Sequence, residues 1–115
     1  MYHHGVNAGQ LSLCRFVELT STAPARLFGM YPKKGEIAPS ADADLVIWDP
    51  QAAYTISAQT HHMRVDYSMF EGFQVKGNAR TVISRGEVIV DKGKFLGAPG
   101  RGNYVKRKPH GGAWK

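Results

Sequence analysis

Residues 79–97 read ARTVISRGEVIVDKGKFLG, and this stretch decides the fold class. It holds three short runs rich in β-branched and aromatic side chains (TVIS, EVIV and KFLG), a composition typical of β-strands. Gly86 and Gly93 separate the runs, and glycine readily takes the positive φ that tight hairpin turns require. The stretch therefore predicts a β-meander over residues 80–96.

Two more strand candidates lie upstream of the meander. They are DLVIW at residues 44–48 and AYTIS at residues 53–57. Asp49-Pro50 is a turn dipeptide, so we expect the first of these strands to end there.

Residues 11–32 read LSLCRFVELTSTAPARLFGMYP and have helical spacing. The positions i, i+3, i+4 and i+7 form one apolar stripe, made by Leu13, Phe16, Val17 and Thr20. Ser12 is placed to cap this first helix. A second short helix follows, with Ser21 or Thr22 as its cap and Gly29 as its C-terminal stop. The pattern predicts an angled corner of two helices joined at TST.

Helices followed by strands, without alternation, indicate an α+β fold. Two short helices cover little of a sheet, so the pattern suggests a piece of a larger structure. Apolar residues make up 43% of the chain, as in a globular protein, and no apolar run approaches the ~20 residues that span a bilayer. The chain has 1 cysteine, which favours a reducing compartment, so we predict a cytoplasmic protein.

The net charge of +6 is concentrated at the C-terminus. Residues 101–115 contain no acid and five cations, which leaves +1 for residues 1–100; the cations are Arg101, Lys106, Arg107, Lys108 and Lys115. This pattern predicts a basic, flexible tail. The rest of the chain has no recognition helix or stacking motif, so we expect no nucleic-acid partner and no membrane partner.

Two histidine pairs, His3-His4 and His61-His62, raise the question of a metal site. Adjacent side chains on a strand point to opposite faces, and no H-x-H or H-E-x-x-H spacing occurs. His3-His4 also lies beside a chain end, where we expect mobility. Surface or hydrogen-bonded histidines are therefore the favoured interpretation, with no metal ligand assigned.

Three carboxylates in DADLVIWD (residues 42–49) lack the glycine and distal glutamate of a calcium loop. We expect a structural role, with Asp42 capping a turn and Asp44 opening a strand. Cys14 has no surroundings typical of a nucleophile and is predicted to be a small buried side chain. No catalytic residue and no cofactor-binding residue can be assembled from the pattern.

Three segments together resemble the C-terminal end of a cyclic amidohydrolase of the dihydropyrimidinase and D-hydantoinase type. They are RFVELTSTAPARLFGMYPKKGEIAPSADADLVIWDP, HHMRVDYSMFEGFQVKG and VISRGEVIVDKGKFLGAPGRG. The resemblance covers residues 1–107 nearly without a break, in the family's order. KGEI followed by DADLVIWD is shared by many amidohydrolases, and DYSMFEG narrows the resemblance to the hydantoinase branch.

The resemblance implies a division of the chain. Residues 1–33 would be the last helices of a (β/α)₈ barrel, residues 34–100 the C-terminal part of a small β-sandwich, and residues 101–115 the basic tail. Gly35, Asp42 and Asp44 would form the structural turn that leads from barrel to sandwich. The family usually has glycine at the position of Ser40, so we expect a slightly altered turn there.

The resemblance also implies ring opening of dihydropyrimidines or hydantoins by a centre of two divalent metals, expected to be zinc. The family's metal ligands and substrate contacts precede the region that matches this chain. We therefore expect no metal, catalytic or substrate-binding residue in it, and no activity from it alone. The family is typically homo-oligomeric, which makes Tyr67, Phe70 and Phe73 a possible subunit interface.

Three other hypotheses stay open. The parent could be a non-catalytic scaffold relative of the collapsin-response type, or an allantoinase, although DYSMFEG favours the hydantoinase branch. The chain could also act alone as an oligomerisation or interaction module.

Overall fold

The computed structural model describes residues 1–109; residues 110–115, the end of the predicted tail, lie outside the described residues. The helical segments are a π-helical turn at Tyr2–Val6, α1 at Leu13–Val17, a second π-helical turn at Glu18–Thr22 and α2 at Ala23–Leu27. The strands are β1 at Leu45–Thr55, β2 at Gln74–Ser84, β3 at Glu87–Asp91 and β4 at Lys94–Phe95.

The predicted N-cap of α1 is confirmed, because the Ser12 hydroxyl accepts a hydrogen bond of 3.1 Å from the Arg15 amide. The predicted corner at TST is wrong. Thr22 has helical angles (φ −67°, ψ −46°) and makes no side-chain cap. The Ala23 amide instead donates to Glu18 O, five residues back, so a wider turn joins α1 to α2 without a break. Pro24, which has no N–H to donate, follows directly after this turn.

The predicted stop of α2 at Gly29 is confirmed. Gly29 has φ +67°, its amide donates to Arg26 O, and the Met30 amide donates to Ala25 O. This pair of bonds is the Schellman arrangement, in which a left-handed residue satisfies the last helical carbonyls.

The strands form one antiparallel sheet in the order β1-β2-β3-β4, which confirms the predicted meander. Both hairpin turns have positive φ at their two central residues: 52° at Arg85 and 82° at Gly86, then 47° at Lys92 and 78° at Gly93. These are type I′ turns, whose twist matches that of the flanking strands.

The prediction of two separate strands around Asp49-Pro50 is wrong, because β1 continues through the dipeptide to Thr55. Between Asp49 and Ala53 the register against β2 shifts, so this part of β1 bulges. The Asp49 carboxylate accepts hydrogen bonds from the amides of Gln51 and Ala52 at 2.9 and 3.1 Å. Asp49-Pro50 thus forms a bulge within β1 instead of a turn that ends the strand.

The helical region meets the sheet through three aromatic rings. Tyr2 lies 4.9 Å from Trp48 and 5.4 Å from Phe16, measured between ring centroids. Within residues 1–109, Ala25 is the only buried apolar side chain. Cys14 is exposed, which corrects the prediction that it is buried: α1 packs through Phe16, and nothing described covers its other side.

Ser40 has a backbone conformation that is typical of glycine. Its φ is +72°, and the Ala41 amide donates to Ala38 O at 3.1 Å. With proline second and a positive φ third, residues 38–41 have the features of a type II turn, which favours glycine at its third position. Serine therefore adopts the left-handed conformation at this position instead of changing the turn.

Candidate functional site

His61 and His62 lie in the loop of residues 56–73, which joins β1 to β2. His61 Nε2 is 2.8 Å from Val65 O, and because a carbonyl can only accept, this nitrogen carries the proton. The His62 ring lies 6.1 Å from the Phe95 ring. The two neighbouring histidines thus contact different parts of the chain.

His3 and His4 contact the sheet, and the expectation that they are mobile stays a prediction. Both lie in the first π-helical turn, which is anchored to β2: the Lys76 amide donates to His3 Nδ1 at 3.1 Å. The His4 ring lies 6.4 Å from the Phe73 ring. A ring nitrogen that accepts from a backbone amide is occupied by that bond.

The residues present do not fit a two-metal centre. Within residues 1–109, no group of three or more histidine, cysteine or carboxylate side chains could hold a metal ion. A catalytic zinc site needs about three protein ligands around one ion. We therefore derive no chemical step through a metal in this part of the chain.

The strongest cluster of charged groups surrounds Lys34. Its ammonium forms ion pairs with Asp42, at 2.8 Å, and with Asp44. The Asp44 carboxylate also accepts a 2.8 Å hydrogen bond from the Arg85 amide, in the β2–β3 turn. This arrangement places Asp42 and Asp44 on one cation and ties the start of β1 to the β2–β3 hairpin.

The charges of this cluster stabilise one another. Partial burial alone would lower the pKa of Lys34, but hydrogen bonds and charges from Asp42 and Asp44 outweigh it and raise that pKa above its ordinary value. Burial would likewise raise the pKa of Asp44, but hydrogen bonds from Lys34 and the Arg85 amide lower it. Groups locked in their charged forms are poor proton carriers near neutral pH, so this cluster is suited to holding structure.

Gly35 lies where the chain leaves the helices. It has φ +94°, and a Cβ atom added to it would lie 2.5 Å from the Ala25 Cβ. The Thr22 hydroxyl donates a 2.6 Å hydrogen bond to Gly35 O, so the predicted cap residue of α2 binds this turn instead. Close approach and left-handed backbone both require glycine at this position.

A shallow cleft of about 430 Å³ opens beside the charged cluster, lined by Lys34, Asp42, Arg85, Arg101 and Asn103 among others. Arg101 donates to Ser84 O and to Glu87, both at 2.9 Å. The Arg85 guanidinium donates to Arg101 O. These contacts were not predictable from the sequence, because a tail rich in glycine and cations shows no periodicity that would place it.

The segment at residues 63–73 exposes many large apolar side chains. The exposed fraction is 72% for Tyr67, 82% for Met69, 51% for Phe70 and 50% for Phe73. We call these four residues the aromatic patch. Phe70 and Phe73 pack on each other with 6.0 Å between ring centroids. Several large apolar side chains exposed on one loop are typical of surfaces that other protein segments cover.

The loop that carries the patch is held closed at its base. The Ile56 amide donates to Phe73 O and the Gly72 amide to Ile56 O, both at 2.9 Å. The Glu71 carboxylate accepts from the Ala58 amide at 2.7 Å. Hydrogen bonds from the Ser57 hydroxyl, first, and the Ala58 amide lower the pKa of Glu71. The patch is therefore presented on a fixed loop.

No helix within the described part of the chain is both long and apolar enough to cross a membrane. This finding agrees with the absence of a long apolar run in the sequence.

Comparison with known proteins gave consistent matches. The family model described as "Amidohydrolase family" matches residues 1–89. The D-hydantoinase of Geobacillus stearothermophilus is 51% identical over 111 residues, which is 96% of this chain and 24% of that protein. The dihydropyrimidinase of Rattus norvegicus is 46% identical over 109 residues, or 95% of this chain and 21% of that protein.

The fold agrees with these matches. The crystal structure of dihydropyrimidinase from Brevibacillus agri NCHU1002 superposes with a TM-score of 0.88 at 52% identity, covering 92% of this chain and 23% of that one. The chain spans about a quarter of the length of the relatives it matches.

Proposed function

The chain belongs to the amidohydrolase family, and from this premise we propose that it is the C-terminal structural portion of a cyclic-amide hydrolase of the dihydropyrimidinase and D-hydantoinase type. In this proposal the whole enzyme opens dihydropyrimidine or hydantoin rings. This portion supplies the last helices of the barrel and the meander of the sandwich, and the two zinc ions are held by other residues.

The observation that carries the proposal is a sheet that is apolar on both faces. Residues paired across neighbouring strands share a face. One row crosses all four strands, and its members are Val46, Val82, Val90 and Phe95.

The adjacent row is also apolar and is made by Leu45, Ile83 and Val88. Leu45 and Ile83 directly adjoin Val46 and Val82, and neighbouring residues of a strand face opposite ways, so they lie on the other side of the sheet. The register shift after Val82 brings Val88 opposite Ile83. The exposed fraction is 57% at Val46, 60% at Phe95 and 45% at Val88. A sheet with two apolar faces is suited to the inside of a larger fold, packed on both sides.

In this proposal the charged cluster connects the helical region to the sheet. Lys34 follows the helices and binds Asp44 at the start of β1, so it fixes the direction in which the chain enters the sheet. Neither the cluster nor the histidines is assigned a catalytic role.

A chimera tests the proposal. The matching C-terminal region of the Geobacillus stearothermophilus D-hydantoinase is replaced by this sequence, and hydantoin hydrolysis and bound zinc are measured. We expect a folded chimera that binds zinc and turns over hydantoin at a rate within about tenfold of the parent, because such a rate difference corresponds to only about 1.4 kcal/mol in the barrier.

A pair of substitutions in the chimera tests whether the enzyme depends on the apolar row of this sheet or accepts any change in the region. In the chimera, Val82→Asp places a charge in the middle of the apolar row and is expected to abolish soluble, zinc-loaded enzyme. Arg80→Asp, on the same strand at an exposed position, is expected to be tolerated. A chimera that folds with full zinc but has no activity, or one in which both variants behave alike, would overturn the proposal.

We also propose that the aromatic patch is a contact between subunits of a homo-oligomer, with a second copy of the chain as its occupant. The support is a fixed loop that exposes two phenylalanines, a tyrosine and a methionine, residue types enriched at interfaces. Phe70→Ser combined with Met69→Ser should lower the oligomeric state of the active chimera in light scattering. An unchanged mass would sink this assignment.

The single cysteine supports a cytoplasmic location.

A further inference from the structure

We infer that residues 101–108 act as a strap that ties the end of α2 to the β2–β3 hairpin, and that Gly29 is the residue that allows the strap to dock. The inference does not depend on the proposed function. It rests on contacts at the two ends of the strap and on the separation between the backbones of α2 and the strands among the described residues.

One end of the strap docks on the helix terminus. The Lys108 amide donates a 2.8 Å hydrogen bond to Gly29 O. A Cβ atom built on Gly29 would overlap Lys108 O and would lie 2.9 Å from the Lys108 carbonyl carbon. A helix stop alone admits asparagine as well as glycine. The docked strap leaves no room for any side chain on that side.

The other end of the strap docks on the hairpin. Arg101 donates to Ser84 O and to Glu87, and Arg101 O accepts from the Arg85 guanidinium. The Arg101 side chain is only 22% exposed, whereas that of Glu87 is 74% exposed. The hydrogen bonds with Ser84 O and with the Arg85 guanidinium are therefore the better-shielded part of this junction.

Between these ends the strap crosses a gap. Among the described residues, no Cα atom of α2 lies within 8 Å of a strand Cα atom. The aromatic contact to Trp48 comes from Tyr2 and Phe16, upstream of α2. The Lys34 cluster is the other link between this end of the helices and the sheet. The strap is thus a second tie, which meets the Lys34 cluster at Arg85 and holds the end of α2 in place while it is docked.

Amide hydrogen exchange of the 115-residue chain, resolved by residue, tests this directly. The Lys108 amide donates to Gly29 O, whereas the Lys106 amide has no hydrogen-bond partner within residues 1–109. We expect slow exchange at Lys108 and fast exchange at Lys106. Gly29→Ala should abolish the difference while Phe28 stays protected within the helix.

Gly72→Ala is the matched control, because Gly72 has φ +81° but open space around a Cβ atom. It should leave exchange at Lys108 unchanged. If Gly29→Ala fails to fold, Arg101→Gln tests the hairpin end, with Arg107→Gln as its control on the exposed part of the strap. Arg101→Gln alone should speed exchange at Lys108.

Two results would overturn the inference. One is exchange at Lys108 as fast as at Lys106 in the unchanged chain. The other is undiminished protection at Lys108 in both Gly29→Ala and Arg101→Gln, which would leave Gly29 as a helix stop only.

Discussion

Ser40→Gly should stabilise the protein. Ser40 occupies the third position of the turn at residues 38–41 with φ +72°. An L-residue with a Cβ pays roughly 1–2 kcal/mol to adopt the left-handed conformation, whereas glycine adopts it freely. No side-chain hydrogen bond of Ser40 is present within residues 1–109 to offset that strain.

The expected gain is smaller than the strain removed. Glycine in place of serine also makes the unfolded chain more flexible, which costs about 0.5–1 kcal/mol. The difference leaves a net gain of about 0.5–1 kcal/mol. For a chain of this size, that corresponds to a rise in Tm of roughly 2–6 °C.

Thermal and urea unfolding of both proteins measure this difference. Ala41→Gly, one residue further along at ordinary φ, is the control: it adds the same flexibility without relieving strain and should lose about 0.5–1 kcal/mol. Equal and opposite shifts for the two variants would support the reasoning. A Ser40→Gly protein that is no more stable than the original would refute it, because the turn would then carry no strain.

Four other substitutions probe the structure. Gly35→Ala should lower the free energy of unfolding by roughly 3 kcal/mol, because alanine would be strained at positive φ and would also overpack against Ala25. Gly86→Ala has open space around the new Cβ atom and should lower it by only about 1–2 kcal/mol. Urea unfolding of the two variants measures the difference. Asp44→Asn should reduce the amount by which the free energy of unfolding falls when the pH is lowered. The folded-state pKa of Asp44 is lowered, so its contribution is present above its unfolded pKa and is lost as pH falls through the folded value; urea midpoints at pH 7 and pH 3 test this. Ser12→Ala should cost about 1 kcal/mol by removing the cap of α1, measured by thermal unfolding; an unchanged Tm would contradict the cap.

The features that local chemistry determines were predictable from the sequence. The type I′ turns at Gly86 and Gly93 follow from the conformational freedom of glycine between strand-forming runs. The stop at Gly29 and the cap at Ser12 follow from the same kind of local rule. In each case the residues that decide the structure are within four positions of one another.

The features that depend on distant partners were not predictable. Asp49-Pro50 encodes a turn, but pairing with β2 on both sides carries the strand through it as a bulge. Cys14 lies on an apolar helix that the described residues cover on one side only. The division into residues 1–33, 34–100 and 101–115 stays a prediction.

The bulge in β1 also restricts what can add to the open side of the sheet. Pro50 has no N–H, and the amides of Gln51 and Ala52 are already bonded to the Asp49 carboxylate. Three successive residues therefore offer no free backbone N–H to an incoming chain. The uninterrupted part of β1 before Pro50 is short, so a segment of about six or seven residues, the length typical of cross-β stacking, finds no unbroken template along β1. The turn dipeptide that interrupts the strand pattern thus gives this apolar sheet a built-in resistance to edge-to-edge aggregation.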